Sequence, residues 1–407
     1  MNRIFSRLGP AARHSIILLG VTGLFWFAWA FGCYQSVYLQ SVGFSASNLG
    51  VLNAISSAVT IASVSFWGMV SDKFGSIRKV LILVLGVGST LYALVPLIPT
   101  GLPYSPLLFT CFIPALNFFR GSVATFDENL LVRNCNELRL NFGVLRGLGS
   151  LLFTVGSIWI AAVLPKVGVP NTFWISGLLM IPAIICVILA REPNSRPRRG
   201  KAGKSEKGGM NLGELFKNKA YVSFLFFALI FYIAASCEGN FIPYFMGEIH
   251  VSTEQYGIIL ALRAFMEIPF LLFMVRLRQR FPLRVLVLGA PVLMALECLG
   301  FGTFAGSLPG MLLCCTFFGL GNGLFIGSSL NYVYELAPDH LKASAQAFFA
   351  SVSSVAGILG NLLGGVVFDA IGAKPFYIAV GCAYLVSSLI FLLSFRHKKE
   401  KNAAVAN

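Results

Sequence analysis

The chain has 407 residues, of which 57% are apolar and only 12% charged, with 37 phenylalanines and a formal net charge of +15. A soluble domain carries about a quarter charged residues, so this composition excludes a dispersed globular enzyme. Apolar runs of roughly 20 residues recur along the whole chain, the signature of a bundle of spanning helices.

The runs predict twelve spans at 15–40, 47–70, 78–98, 105–130, 141–164, 170–190, 220–244, 254–275, 284–304, 308–335, 342–368 and 375–395. The first is too long for a signal-peptide core and lacks a small-residue cleavage site, so it reads as a span. Lys and Arg alternate sharply between the connections. One side collects Arg3, Arg7, Arg13, Lys73, Arg78, Lys79, Arg133, Arg139, the stretch 191–219, Arg276, Arg278, Arg280, Arg284, Lys342 and the tail from Arg396, while the other has only Lys166 and Lys374. This positive-inside bias puts both termini in the cytoplasm of a multi-pass plasma-membrane protein, here expected in a bacterial inner membrane. It also explains the net charge as topology and attraction to anionic lipid, with no nucleic-acid partner implied.

Residues 192–210 read EPNSRPRRGKAGKSEKGGM, basic and almost free of bulky apolar side chains, as a cytoplasmic linker does. The expected organisation is a six-helix bundle over 1–190, a linker over 191–219, a second six-helix bundle over 220–395 and a tail over 396–407. The halves resemble each other. Tyr38-Leu39, Ser45 and Gly50 recur as Tyr244-Phe245, Ser252 and Gly257, and GVLNA from Gly50 is echoed by GIILA from Gly257. Such a repeat implies two bundles about a midplane site with alternating access.

GMVSDKFGSIRK, Gly68 to Lys79, resembles the loop between spans two and three of the major facilitator superfamily. Gly68 would permit close helix approach, Asp72 would sit near a helix end and Gly75 would supply a tight turn. The resemblance implies an all-α fold of two pseudo-symmetric six-helix bundles, with Asp72 and Arg78 in a cytoplasmic latch. Within that superfamily the chain is similar to the branch of the lactose and phenylpropionate permeases. FGCYQSVYLQSVGFS in the first span and FGVLRGLGS from Phe142 carry this similarity. It implies that Arg146 and its acidic partner Glu128, eighteen residues earlier, hold solute hydroxyls beside an aromatic position occupied by Phe153. The branch's ninth-span arginine is replaced by Glu297, with Arg263 extra on the eighth, as in a swapped ion pair. The branch's tenth-span histidine is absent, since His14, His250, His340 and His397 lie near span ends or in loops.

Charge inside a bilayer is costly, so each intramembrane charge defaults to function. Arg120 and Asp127 are seven residues apart on the fourth span, hence expected on one helical face, with Glu128 adjacent. These and Arg146 form either a structural ion cluster or a solute contact, with Arg120 and Asn322 as weaker solute contacts. In the second half, Glu238, Arg263 and Glu297 fall roughly 9–14 Å from the outer ends of their helices, so mutual pairing is feasible. Glu267 lies one turn deeper than Arg263. Three acids to one base leave a carboxylate able to carry a proton, and Glu267 is the favoured carrier.

The nine cysteines show no metal-ligand spacing and read as small core residues. Gly147/Gly149, Gly319/Gly321/Gly323 and Gly360/Gly364/Gly365 lack a following Lys-Ser/Thr and read as helix-packing faces rather than nucleotide loops. The aromatic cluster Phe25, Trp26, Phe27, Trp29 and Phe31 reads as bulk with one or two rings lining a site. No catalytic triad, metal site or cofactor motif is present. The expected function is secondary transport of a small organic solute by proton symport, by a monomer whose partners are that solute and the lipid bilayer. Proton-driven efflux of sugars or drugs is the alternative, and a non-transporting sensor or assembly factor the alternative of another class.

Overall fold

The computed structural model describes residues 10–140, 142–193 and 213–406. Hydrocarbon offers the backbone no hydrogen-bond partner, so apolar runs of this length close their bonds internally as helices. Twelve helical spans are long and apolar enough to cross a membrane, and no strand occurs among the described residues. The first span is α1 (Pro10–Gly32) continued by α2 (Gln35–Ser41). The helices α3 (Ala46–Phe74) and α4 (Ile77–Ala93) follow, and α5 (Ser105–Arg120) with α6 (Val123–Leu138) makes the fourth span. The first half closes with α7 (Phe142–Val167) and α8 (Asn171–Leu189). A short α9 (Gly213–Lys217) precedes α10 (Lys219–Asn240), which α11 (Ile242–Glu248) extends. Then come α12 (Tyr256–Arg280), α13 (Leu283–Thr303), α14 (Leu308–Leu336), α15 (Lys342–Ile371) and α16 (Ala373–Ala406). Most of the expected linker, 194–212, lies outside the described residues, and the expected tail is, through Ala406, a continuation of α16.

Two compact units emerge. Unit 1 holds Met1–Phe44, Ile55–Lys204 and Tyr256–Ala261, and unit 2 holds Ser45–Ala54, Ser205–Gln255 and Leu262–Asn407. The first turns of α3 therefore belong with the second unit and the first turn of α12 with the first. Within unit 1, α1 lies along α7 and α8, and α4 lies along α5 and α8. Unit 2 reproduces all four pairings in the corresponding helices, with α10 along α15 and α16, and α13 along α14 and α16. The weak sequence repeat is thus a repeat of packing.

The repeated glycines do the same job in each unit. A Cβ on Gly50 would run into the backbone of α15 at Asn361 and Gly365, and one on Gly257 into the backbone of α7 at Ser157. Backbone-to-backbone approach of this kind is what small residues permit between membrane helices. Within unit 2 the start of α3 is also capped from α15, where the Asp369 carboxylate accepts from the amides of Ala46 (3.2 Å) and Ser47 (2.7 Å). Glu248 accepts from the Ala373 amide at the start of α16 (3.1 Å). Carboxylates suit these places because a helix N-terminus carries unsatisfied N–H groups and positive potential.

In the α3–α4 loop, Gly75 takes a φ of +62°, the left-handed turn that glycine adopts without steric penalty. Gly68 does not fit its expected role, because a Cβ there would meet no atom within 4 Å. Gly147 likewise faces open space, whereas Gly149 packs on Thr22 and Trp26. All nine cysteines are free thiols, and the core reading fails for Cys111 and Cys382, which are exposed.

Substituting leucine at Gly50 or Gly257 should destabilise the detergent-purified protein by about 1–3 kcal/mol each, as overpacking does. Gly68→Ala and Gly147→Ala should stay within about 0.5 kcal/mol of the parent. Chemical unfolding followed by tryptophan fluorescence separates the two pairs, and equal effects in both would remove the close-packing role of Gly50 and Gly257.

Candidate functional site

Two separate charge clusters stand inside the spans, one in each unit. In unit 1, Arg146 on α7 donates through Nε to Glu128 on α6 (3.2 Å) and through Nη1 to the Ser150 hydroxyl (3.0 Å). Its guanidinium lies over the ring of Trp26, 4.6 Å from the centroid, and Trp26 meets Phe153 edge-on at 6.3 Å. A cation on an indole face gains electrostatically from the ring quadrupole, and the ring plane fixes the guanidinium's orientation. The pair is only partly covered, with side-chain exposures of 30% for Arg146 and 47% for Glu128. Donors and acceptors therefore remain for a ligand that reaches them. Asp127 is buried beside this pair, accepting from the Thr22 hydroxyl (3.2 Å).

Arg120 does not join that cluster. Arg120 and Asp127 both meet α1, at Trp29 and Thr22, which are seven residues apart on that helix, so the two charges share a side of the fourth span but stand two turns apart along it. The Arg120 guanidinium instead lies between the rings of Trp29 (4.1 Å) and Tyr92 (3.9 Å).

Unit 2 holds a buried triad. Arg263 on α12 reaches Glu238 on α10 and Glu297 on α13 through the same Nη2, the second at 3.4 Å, and covers the Phe318 ring at 3.3 Å. Both glutamates are 0% exposed and Arg263 only 6%. The Tyr377 hydroxyl donates to the backbone carbonyl of Glu238 (3.0 Å) and ties this corner to α16. Glu267, one turn beyond Arg263, accepts from Asn322 Nδ2 on α14 (2.7 Å) and is only half-buried. Asn322 thus makes an interhelical bond. The glycine face of α14 makes this geometry possible, since Gly319 abuts the Arg263 carbonyl and Gly323 the backbone of Glu267.

The α3–α4 loop is fastened within unit 1. Arg78 donates to the carbonyls of Ala190 (2.8 Å) and Ile188 (3.3 Å) and pairs with Glu192 (3.6 Å). Glu192 in turn accepts from the Ile77 amide (3.0 Å) and the Ser76 hydroxyl, capping α4. Asp72 is exposed. No group of three or more His, Cys, Asp or Glu side chains suited to hold a metal occurs among the described residues.

Sequence reasoning located the charges but missed their supports. Trp26 and Trp29 were legible only as part of an aromatic run, although their spacing of three places both rings on one face. Tyr92 and Phe318 carried no sequence signal, because each acts on a neighbour from another helix, whereas Ser150 stood in the FGVLRGLGS stretch four residues from Arg146.

Residues 17–379 match the model of the MFS_1 like family. The maltose permease of Geobacillus stearothermophilus is 24% identical over 400 residues, covering 96% of this chain and 97% of that one. The uncharacterized transporter YwbF of Bacillus subtilis is 23% identical, covering 88% and 86%. Among solved structures, a point mutant of the nucleoside transporter NupG superposes with a TM-score of 0.80 at 16% identity, covering 94% of this chain and all of that one. That likeness is one of fold, and it agrees with the twelve spans and the repeated helix pairings. With a family match that begins in the first span and ends in the last, the chain belongs to the MFS_1 like family.

Proposed function

We propose that this protein is a secondary transporter that moves a small organic solute across the plasma membrane by alternating access, driven by inward proton flow. The proposed solute class is a sugar, oligosaccharide or small organic acid, and the excess of Lys and Arg in alternate connections supports a bacterial inner membrane with both termini cytoplasmic. The observation that carries the reading is the contrast between the two intramembrane clusters. The Arg146–Glu128 pair is half-open, braced on Trp26 and equipped with both donors and acceptors, as recognition of hydroxyls requires. The similarity of its surroundings to the lactose and phenylpropionate permease branch, and the names of the maltose and nucleoside transporters, support the same class.

The Glu238–Arg263–Glu297 triad is sealed and has two carboxylates for one guanidinium. A bound proton balances that charge, and its loss leaves a net negative charge in the membrane interior, which favours a rearrangement that readmits water. Glu267, half-buried one turn away, offers the triad a proton route to solvent. Solute and proton sites then stand in different units, and a conformational equilibrium shared by both couples them.

The test is the external pH of a lightly buffered suspension of de-energised cells given maltose, xylose, uridine or phenylpropionate in turn. Alkalinisation with one solute is the expected outcome. Entry of labelled solute without a pH change would exclude proton coupling. In Glu297→Gln and Glu267→Gln cells, solute exchange should persist while uphill accumulation is lost, and accumulation surviving both changes would remove this cluster from the proton path. Glu128→Gln and Arg146→Lys should each weaken apparent solute affinity by about 10–100-fold, the worth of a hydrogen bond to a charged group. Uptake kinetics that show no change in either variant would take the pair out of the solute site.

A further inference from the structure

We infer that Arg120 is an anion-binding group, and that the transported solute carries a carboxylate or phosphate which it engages. This inference rests on the proposed transport function and narrows its solute class. Arg120 lies deep in the fourth span, fifteen residues from Ser105 at its start, yet no carboxylate stands within ion-pair distance of it among the described residues. Trp29 and Tyr92 cover the two faces of the guanidinium at 4.1 and 3.9 Å. Aromatic rings can shield a cation's faces, but they leave its in-plane N–H donors unanswered. Nη2 is buried with no hydrogen-bond partner, and Arg120 makes no hydrogen bond among the described residues. A buried, charged donor without an acceptor is costly in a membrane, so such a group persists where a ligand completes it.

The backbone around it has the form of a site. The first span breaks at Cys33–Tyr34, between α1 and α2, and the fourth at Gly121–Ser122, directly after Arg120. Interrupted membrane helices occur where backbone lines a ligand position. Gly32, the last residue of α1, sits so close that a Cβ there would run into Arg120 Nη2. The Tyr92 hydroxyl donates to the Gly32 carbonyl (2.9 Å), which fixes the tyrosine ring against the guanidinium. Trp29 connects this cation to the other solute group, because its ring lies 6.4 Å from that of Trp26, beneath Arg146. Arg120 and the Arg146–Glu128 pair thus flank one tryptophan pair in unit 1. A polyhydroxylated acid, with hydroxyls at one end and an anionic group at the other, matches their chemistry.

The full-length protein in detergent would be heated with glucuronate, glucose 6-phosphate or glucose, at constant ionic strength, with sodium sulfate as an inorganic-anion control. Ligand binding to the folded state raises the unfolding temperature. The acidic sugars should stabilise the parent and glucose should not. Arg120→Gln should lose the preference for acid, with half-saturation about tenfold or more weaker, and Arg120→Lys should recover part of it. Gly32→Ala keeps the arginine but crowds Nη2, and should weaken acid binding while leaving the unliganded protein folded. Stabilisation by sulfate equal to that by the sugar acids would show an adventitious ion site and overturn the solute assignment. Equal effects of glucose and the acids, no effect of either, or an acid preference that survives Arg120→Gln would overturn the inference as well. Proteoliposome uptake separates it from the transport reading. Uptake of neutral sugar without acid preference would leave transport standing and remove Arg120 from it. Acid-selective stabilisation without any uptake would keep the anion site and remove transport.

Discussion

The structure depends on one constraint, that a bilayer interior supplies no hydrogen bonds. Continuous helix meets it for most of the chain, and wherever a helix begins or breaks a specific side chain has to make up the deficit. Tyr92 answers the Gly32 carbonyl where the first span breaks, and Tyr377 answers the Glu238 carbonyl near the end of α10. Glu192, Asp369 and Glu248 supply carboxylates to the N-termini of α4, α3 and α16. Each of these groups comes from outside the helix it completes, Glu192 from the segment after α8 and the others from another helix, so the same bonds that satisfy the backbone also fix which elements are neighbours.

The same scarcity sorts the charges. Arg263 is surrounded by two carboxylates and a phenyl ring, and the cluster is closed to solvent. Arg146 is paired but half-open, and Arg120 is wrapped in aromatic rings with a buried donor unanswered. Three arginines of equal charge therefore stand in three states of completion, and it is completion rather than charge that sets them apart. Aromatic faces recur in all three, since a ring attracts a cation without presenting a group that itself needs a hydrogen bond.

Packing was partly legible in the sequence. The recurrence of Gly50 as Gly257 marked two of the places where backbone meets backbone, because a glycine at the same point of a repeated turn has few other reasons to recur. Gly68 and Gly147 stood in equally glycine-like contexts and pack on nothing. A glycine in an apolar helix announces that close approach is possible, and only a neighbouring helix makes it real. The pairing of Arg146 with Glu128 was readable through family resemblance, and their observed distance agrees with it. The Trp26 platform beneath them was hidden in a run of five aromatics.

What the sequence by itself determined is set by quantities local to the chain: twelve spans from apolar run length, the twofold repeat from turn residues, and the short list of charges whose burial needs a reason. Tertiary structure alone decided which charges meet. Glu267 bonds Asn322 while Glu238 and Glu297 share Arg263, and Arg120 meets Trp29 where Asp127 meets Thr22. The physical reason is that an intramembrane side chain takes whatever acceptor, donor or ring the adjacent helix presents at its own depth and angle. Those are set by how the helices pack, in places through close glycine contacts, which spacing along a single helix does not encode.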